Sequence, residues 1–141
     1  MRALRWLFVV PIGILAWYVG VFIGYLIHEI GEWTCPMEYV VSHMCFAPWS
    51  RLVFAISIAF GSSTAAFLIV LLPALVAPSH YRVVALVAFT FGLSFAIYAV
   101  ARTSAWLPFS GAVIAGIAAL WLVQRRSRSN PSIQGTAFGG P

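Results

Sequence analysis

Residues 6–27 read WLFVVPIGILAWYVGVFIGYLI and contain no arginine, lysine, carboxylate or histidine. A helix of about 20 apolar residues crosses the hydrocarbon core of a bilayer, which is ~30 Å thick. The core of a secretory signal is shorter, roughly 7–15 residues, so we expect this segment to be retained rather than cleaved. The stretch therefore predicts a membrane-spanning helix.

Three more runs of the same kind follow, at residues 52–72, 83–101 and 105–123. None of them alternates polar and apolar residues as a lipid-facing β-strand does. A helix satisfies its backbone N–H and C=O groups internally, as the bilayer requires. The sequence therefore predicts an all-α membrane protein, with four transmembrane helices in an antiparallel bundle. The predicted helices cover approximately residues 4–27, 52–72, 82–101 and 105–124.

The composition excludes most classes of soluble protein. Of the 141 residues, 62% are hydrophobic and 8% are charged. A soluble domain carries about 45–50% apolar and about 25% charged residues. The eight arginines, which give a net charge of +5 against three glutamates, are scattered between the apolar runs. Since they form no basic stripe, we expect no nucleic-acid partner.

The arginines also predict the orientation of the bundle. If the N-terminus is cytoplasmic, that side holds six arginines and the other side two. Cytoplasmic segments are enriched in basic residues, so we expect both termini in the cytoplasm of a plasma (inner) membrane protein. Residues 28–50 then form an extracytoplasmic loop, and residues 125–141 form a basic, glycine-rich cytoplasmic tail. The predicted extracytoplasmic arginines are Arg51 and Arg102.

Small residues recur at helical spacing on the first and fourth predicted helices. Where side chains are small, helix backbones approach closely, and van der Waals contact drives their association in lipid. Two interpretations stay open at this point: these faces bind another subunit, or they pack the four helices of this chain together. The predicted helix-packing residues are Ala16, Gly20, Gly24, Gly111, Ala112, Ala115 and Gly116.

The loop at residues 28–50 carries both cysteines of the protein, Cys35 and Cys45. On the oxidising side of a membrane, such an isolated pair favours a structural disulfide. The alternative is thiol–disulfide exchange with a quinone, as four-helix membrane oxidoreductases perform. That chemistry normally uses a Cys-x-x-Cys pair and a second pair as relay, and the sequence has neither. We therefore expect a disulfide rather than redox catalysis.

The same loop contains candidate metal ligands. His28 and Glu32 are four positions apart and share a face if the first helix continues for one more turn. Together with His43 and Met44 they form a candidate site for copper or zinc. The spacing matches no established metal-binding motif, and the alternative is a histidine paired with a carboxylate at the membrane surface. We expect no resident cofactor, with copper or zinc as the alternative.

No charged residue or histidine lies deep within the four apolar runs. Proton-coupled transporters and ion exchangers need such a residue in the membrane. We therefore expect a protein without a catalytic site: an accessory or assembly subunit that packs against other membrane proteins or copies of itself. Metal or thiol chemistry in the loop is one alternative. A small channel or transporter that uses Ser62, Ser63 and Thr64 is the other.

Overall fold

The computed structural model describes residues 2–42, 44–77 and 80–128. The candidate ligand His43 and the tail beyond residue 128 lie outside the described residues. Within the described ranges the chain forms four long α-helices, with a 3₁₀ turn at Met37–Tyr39 and a two-stranded hairpin between the first two. The helices are α1 (Arg2–Trp33), α2 (Ser50–Val76), α3 (Tyr81–Thr103) and α4 (Trp106–Arg128); the strands are β1 (Val40–Val41) and β2 (Met44–Cys45).

All four helices are long and apolar enough to cross a bilayer, and they pack together. Few residues separate α3 from α4, so these two helices run antiparallel. Ser104 ends α3 in a left-handed conformation with φ 55°, and its N–H donates to the carbonyl of Val100 at 2.8 Å. The predicted all-α fold of four transmembrane helices is confirmed.

α1 and α2 extend beyond the limits that hydropathy predicts. α1 continues from residue 27 to Trp33, because side-chain pairs four residues apart support its last turns. α2 passes through Pro73, where we expected it to stop, and ends at Val76. Proline removes one backbone donor, but it is tolerated in a membrane helix when neighbouring groups surround it. Pro73 is buried, and its carbonyl still accepts the N–H of Ala77 at 3.0 Å.

α2 is the central helix of the structure. It contacts α1 on one side and both α3 and α4 on the other, whereas α1 packs almost wholly against α2. At one end of the bundle, α2, α3 and α4 meet in a small core of aliphatic side chains. This core contains Val70, Ala74, Ala85, Ala119 and Val123.

Glycines set the spacing between α1 and α2. A Cβ atom on Gly20 would overlap with the backbone and side chain of Ala65, and one on Gly24 would lie 3.0 Å from the carbonyl oxygen of Ser57. Gly61 of α2 faces Gly24 in turn, so the two backbones touch. Contacts of this kind occur along the whole length of α1 and α2. From one contact to the next the residue number increases on α1 and decreases on α2. The small face of α1 is therefore occupied by α2 of the same chain.

The small residues of α4 also have neighbours within the chain. A Cβ atom on Gly111 would lie 2.5 Å from the hydroxyl oxygen of Ser63 on α2. A Cβ atom on Gly116 would lie 2.9 Å from the ring of Phe89 on α3. Among the described residues, the predicted packing glycines thus bring the helices of one chain together, and the surfaces that remain for another subunit lie elsewhere.

We predict that Gly20→Ala lowers the free energy of unfolding by about 1–3 kcal/mol, because the added methyl group forces α1 away from α2. Gly92→Ala is the matched control, since no atom of the described residues lies within 4 Å of its Cβ position. There the gain in helix propensity stabilises by about 0.5–1 kcal/mol. Titration with SDS, followed by circular dichroism, measures both values. Equal effects at the two positions would contradict the proposed contact.

Candidate functional site

A disulfide closes the connection between α1 and α2. The sulfur atoms of Cys35 and Cys45 are 2.03 Å apart, so the expected disulfide is present. β1 and β2 pair antiparallel between the two cysteines, with Val40 opposite Cys45 and Val41 opposite Met44. The result is a small, cross-linked hairpin at the end of α1.

Backbone hydrogen bonds attach this hairpin to the end of α1 and also join its two sides. The N–H of Cys35 donates to the carbonyl of Glu32 at 3.0 Å, and the N–H of Phe46 donates to the carbonyl of Tyr39 at 2.9 Å. Ser42 takes a positive φ of 51° at the turn, as tight hairpin turns require. The hairpin therefore has a defined shape, although it buries little of its own surface.

Apolar side chains project from the hairpin and from the end of α1. Met37 is 92% exposed and Trp33 is 85% exposed, and several neighbours are more than half exposed. We call this group the apolar cap; it consists of Trp33, Met37, Val41, Met44 and Phe46. Soluble surfaces rarely cluster large apolar residues in this way, and such clusters mark surfaces that contact a membrane or another protein.

Four polar side chains lie together on the last two turns of α1. Nε2 of His28 is 3.4 Å from Oε1 of Glu32, and the side chain of Tyr25 hydrogen-bonds to Glu29. The ring of Phe54 on α2 meets the imidazole edge-to-face, with ring centres 5.4 Å apart. In both pairs the two residues are four positions apart, a spacing at which side chains on a helix meet. Each polar group at this end of the membrane helix therefore has a partner. The spacing of His28 and Glu32 predicted the first pair. Tyr25 and Glu29 are also four positions apart, so the sequence could have predicted the second pair, but we did not predict it.

The structure brings only part of the predicted metal set together. His28 and Glu32 are in contact, Met44 is exposed on β2, and His43 lies outside the described residues. Across the described ranges, no three histidine, cysteine or carboxylate residues form a group that could hold a metal ion. Both cysteine sulfurs are in the disulfide, so no thiolate is available as a ligand.

The hydroxyl groups of two serines on α2 lie against helix carbonyls. Ser63 donates to the carbonyl of Ala59 at 2.6 Å within its own helix. Ser62 lies near both the Ala59 carbonyl, at 3.1 Å, and the carbonyl of Pro108 on α4, at 3.3 Å. The contact of Ser62 with Pro108 links α2 to α4. Together the three contacts occupy two of the side chains that we considered for a transport path.

An apolar cleft opens between α3 and its neighbours α2 and α4. It has a volume of about 300 Å³ and begins just beyond the small aliphatic core. In the part of the chain that the structure describes, no atom lies within 4 Å of the Cβ position of Gly92, which faces this open space. The wall formed by α3 consists of Ala88, Phe89, Gly92, Leu93, Phe95, Ala96, Ala99, Val100 and Thr103.

A second apolar cavity, of about 380 Å³, lies between α1 and α2. Trp17 and Ile58 line both it and the cleft, and Tyr25 and His28 lie at its polar end. Sequence reasoning did not find either cavity. Small residues at helical spacing on α3 are the feature of the sequence that corresponds to the cleft. Such residues occur both on helix faces that pack closely and on faces that leave open space, so they do not predict a cleft by themselves.

Comparisons with known proteins add no assignment. No known protein family matches this chain, and neither a curated protein nor a solved structure matches it.

We predict that removal of the disulfide by paired Cys35→Ser and Cys45→Ser substitutions loosens the hairpin and leaves the helices intact. Closing a loop of this length stabilises by about 2–3 kcal/mol. Hydrogen exchange should become much faster at the amide of Phe46, which is hydrogen-bonded across the hairpin. Amides of α2 next to the aliphatic core are the internal control and should exchange at the original rate. Unchanged exchange at Phe46 would show that the disulfide does not hold the hairpin.

Proposed function

We propose that this protein is an accessory or assembly subunit of a membrane complex, and that it binds its partner through the apolar cap and the outward face of α1. The observation that carries this proposal is the apolar cap. Its side chains lie beyond the apolar run of α1, at Trp33 and in a cross-linked hairpin, and large apolar groups exposed in this way mark a surface that contacts another protein or the membrane.

The outward face of α1 supports the proposal. Because α1 packs almost wholly against α2, no other helix of the described residues packs against the opposite side of α1. Large side chains follow this side at helical spacing as far as Leu26, and Glu29 lies between them and Trp33 of the cap. Together with Trp33, the large side chains of this side are Leu7, Leu15, Tyr18, Phe22 and Leu26, and all are exposed. A partner helix laid along this side would also meet Trp33 of the apolar cap.

The rigidity of the hairpin supports the proposal as well. Binding orders the groups at an interface, and groups that are already ordered lose less entropy. The disulfide and the backbone hydrogen bonds fix the cap before any partner arrives. Methionine side chains, such as Met37 and Met44, adapt to the shape of an apolar partner.

The distribution of arginines supports a plasma-membrane location with both termini in the cytoplasm. In this orientation the hairpin is extracytoplasmic, where oxidising conditions maintain the disulfide between Cys35 and Cys45. The partner would then contact the cap outside the cytoplasm and α1 within the bilayer.

Crosslinking at single positions in intact cells tests the interface. We expect a photoreactive amino acid at Met37 or Phe22 to give one discrete adduct with the same protein from both positions. Phe91 is the control, because it is 81% exposed on α3, away from α1. It should give lipid adducts only. Equal protein adducts from Phe91, or none from Met37 and Phe22, would contradict the proposal.

Labelling with a membrane-impermeant maleimide tests the orientation. We expect Ser104→Cys, in the turn between α3 and α4, to react in intact cells. Ala77→Cys, at the end of α2, should react only after the membrane is permeabilised. The native cysteines are in a disulfide and do not react, so both variants start from an unlabelled background. The reverse pattern would invert the proposed orientation.

A further inference from the structure

We propose that the partner of this protein carries an arginine or a lysine at the extracytoplasmic end of a transmembrane helix, and that this basic side chain pairs with Glu29 on the outward face of α1. The inference rests on the proposed function, because it names the chemistry of the partner that this face and the apolar cap bind. It can fail alone, since a partner that binds the same face without Glu29 would leave the proposed function standing.

The surface that we propose as the interface is the acidic part of this protein. Residues 28–50, which include the end of α1 and the hairpin, contain all three carboxylates of the sequence and no arginine or lysine. The other residues contain all eight arginines and no carboxylate. Binding surfaces place opposite charges against each other, and like charges at an interface suppress binding. A basic partner therefore fits this surface, and an acidic partner does not.

Glu29 lies at the centre of the outward face of α1. It is nine residues after Gly20, which corresponds to about two and a half helical turns, so the two residues lie on opposite sides of the helix. Gly20 faces Ala65 of α2, with which a Cβ atom on this glycine would overlap. Glu29 therefore lies away from α2, on the same side as the exposed Leu26 and Trp33.

A carboxylate on this side of a membrane helix is unusual. Glu29 lies in the segment Trp6–Trp33, which is long and apolar enough to span a bilayer, two residues beyond its uninterrupted apolar run. Ionisable residues in such segments usually face the interior of their own bundle and pair there. Glu29 has a hydrogen bond with Tyr25, but no arginine of the described residues forms an ion pair with it. Its charge is therefore available to a basic group of another chain.

The position of Glu29 argues against a second copy of this chain as the partner of α1. Two copies have the same orientation in the membrane, and a two-fold axis that joins them through one face brings identical residues together. The Glu29 side chains of the two copies would then lie at the same depth and repel each other. A different protein with a basic side chain at that depth avoids this repulsion.

The location of the charge also narrows the class of partner. Membrane proteins concentrate arginine and lysine in their cytoplasmic segments, so a basic residue at the extracytoplasmic end of a helix distinguishes a small group of proteins. Long basic side chains near a helix end extend towards the membrane surface. Glu29 lies beyond the apolar run of α1, at the level that such side chains reach.

Photocrosslinking from Phe22 in intact cells tests the pairing in the full chain. Mass spectrometry identifies the crosslinked protein, and we expect a basic residue at the extracytoplasmic end of its crosslinked helix. Glu29→Gln should lower the adduct yield about threefold, because a partly exposed ion pair changes an equilibrium by up to about fivefold. Glutamine still accepts the hydrogen bond of the Tyr25 hydroxyl, so this substitution removes the charge and retains the contact within α1.

Ala101→Lys is the matched control. It makes the same change in net charge at an exposed position near the end of α3, which lies at the same end of the bundle as Glu29. The adduct yield from Phe22 should be unchanged in this variant, because the added charge does not lie on the outward face of α1.

An exchange of charges between the two proteins is the decisive measurement. Glu29→Lys should lower the adduct yield about tenfold or more, because like charges then face each other across the interface. Replacement of the basic residue of the partner by glutamate should restore the adduct with Glu29→Lys and remove it with the unmodified chain.

Three results would overturn the inference. Two of them leave the proposed function intact: a crosslinked helix without a basic residue at that end, and a yield in Glu29→Lys equal to that of the unmodified chain. The third is an adduct between two copies of this chain from Phe91 as well as Phe22, which would show that Arg102 on α3 supplies the charge. Absence of any protein adduct from Phe22 and Met37 would overturn the proposed function together with the inference.

Discussion

Backbone contact between α1 and α2 is the constraint on which the rest of the structure depends. Helices surrounded by lipid gain little from burying apolar side chains, so close packing must hold them together. Gly20, Gly24 and Gly61 permit that contact, and each excludes even a methyl group without movement of its neighbour. Among the described residues α1 packs almost wholly against α2, so no helix covers its opposite side there, and the apolar cap lies at its end.

Small residues have opposite consequences in different parts of the bundle. Gly20 and Gly111 face another helix and bring it close, whereas Gly92 faces open space. The difference comes from α3, which meets α2 and α4 in the aliphatic core but leaves a cleft beyond Ala88. The same residue type thus forms a contact where a partner helix is present and a cavity where it is absent.

Much of the fold could be predicted from the sequence, because hydropathy and helical spacing are local properties. The four helices and the contact of His28 with Glu32 are of this kind. The end of α1 at Trp33 was not predicted, because hydropathy falls at residue 28 while side-chain pairs support the helix further. The sequence did not show which helix packs against each face of small residues, or that a cleft exists. Both depend on how the helices are arranged in space, and local sequence patterns do not contain that information.

The disulfide has a larger role here than in a domain with its own core. A two-stranded hairpin is marginally stable in water by itself, and this one has two residues in each strand. Near the hairpin, Ala47 is buried, with 3% exposure, but Met37 and Met44 remain exposed. The Cys35–Cys45 link therefore substitutes for the missing core. Reduction would change the shape of the apolar cap while the helices, which do not depend on it, remained packed.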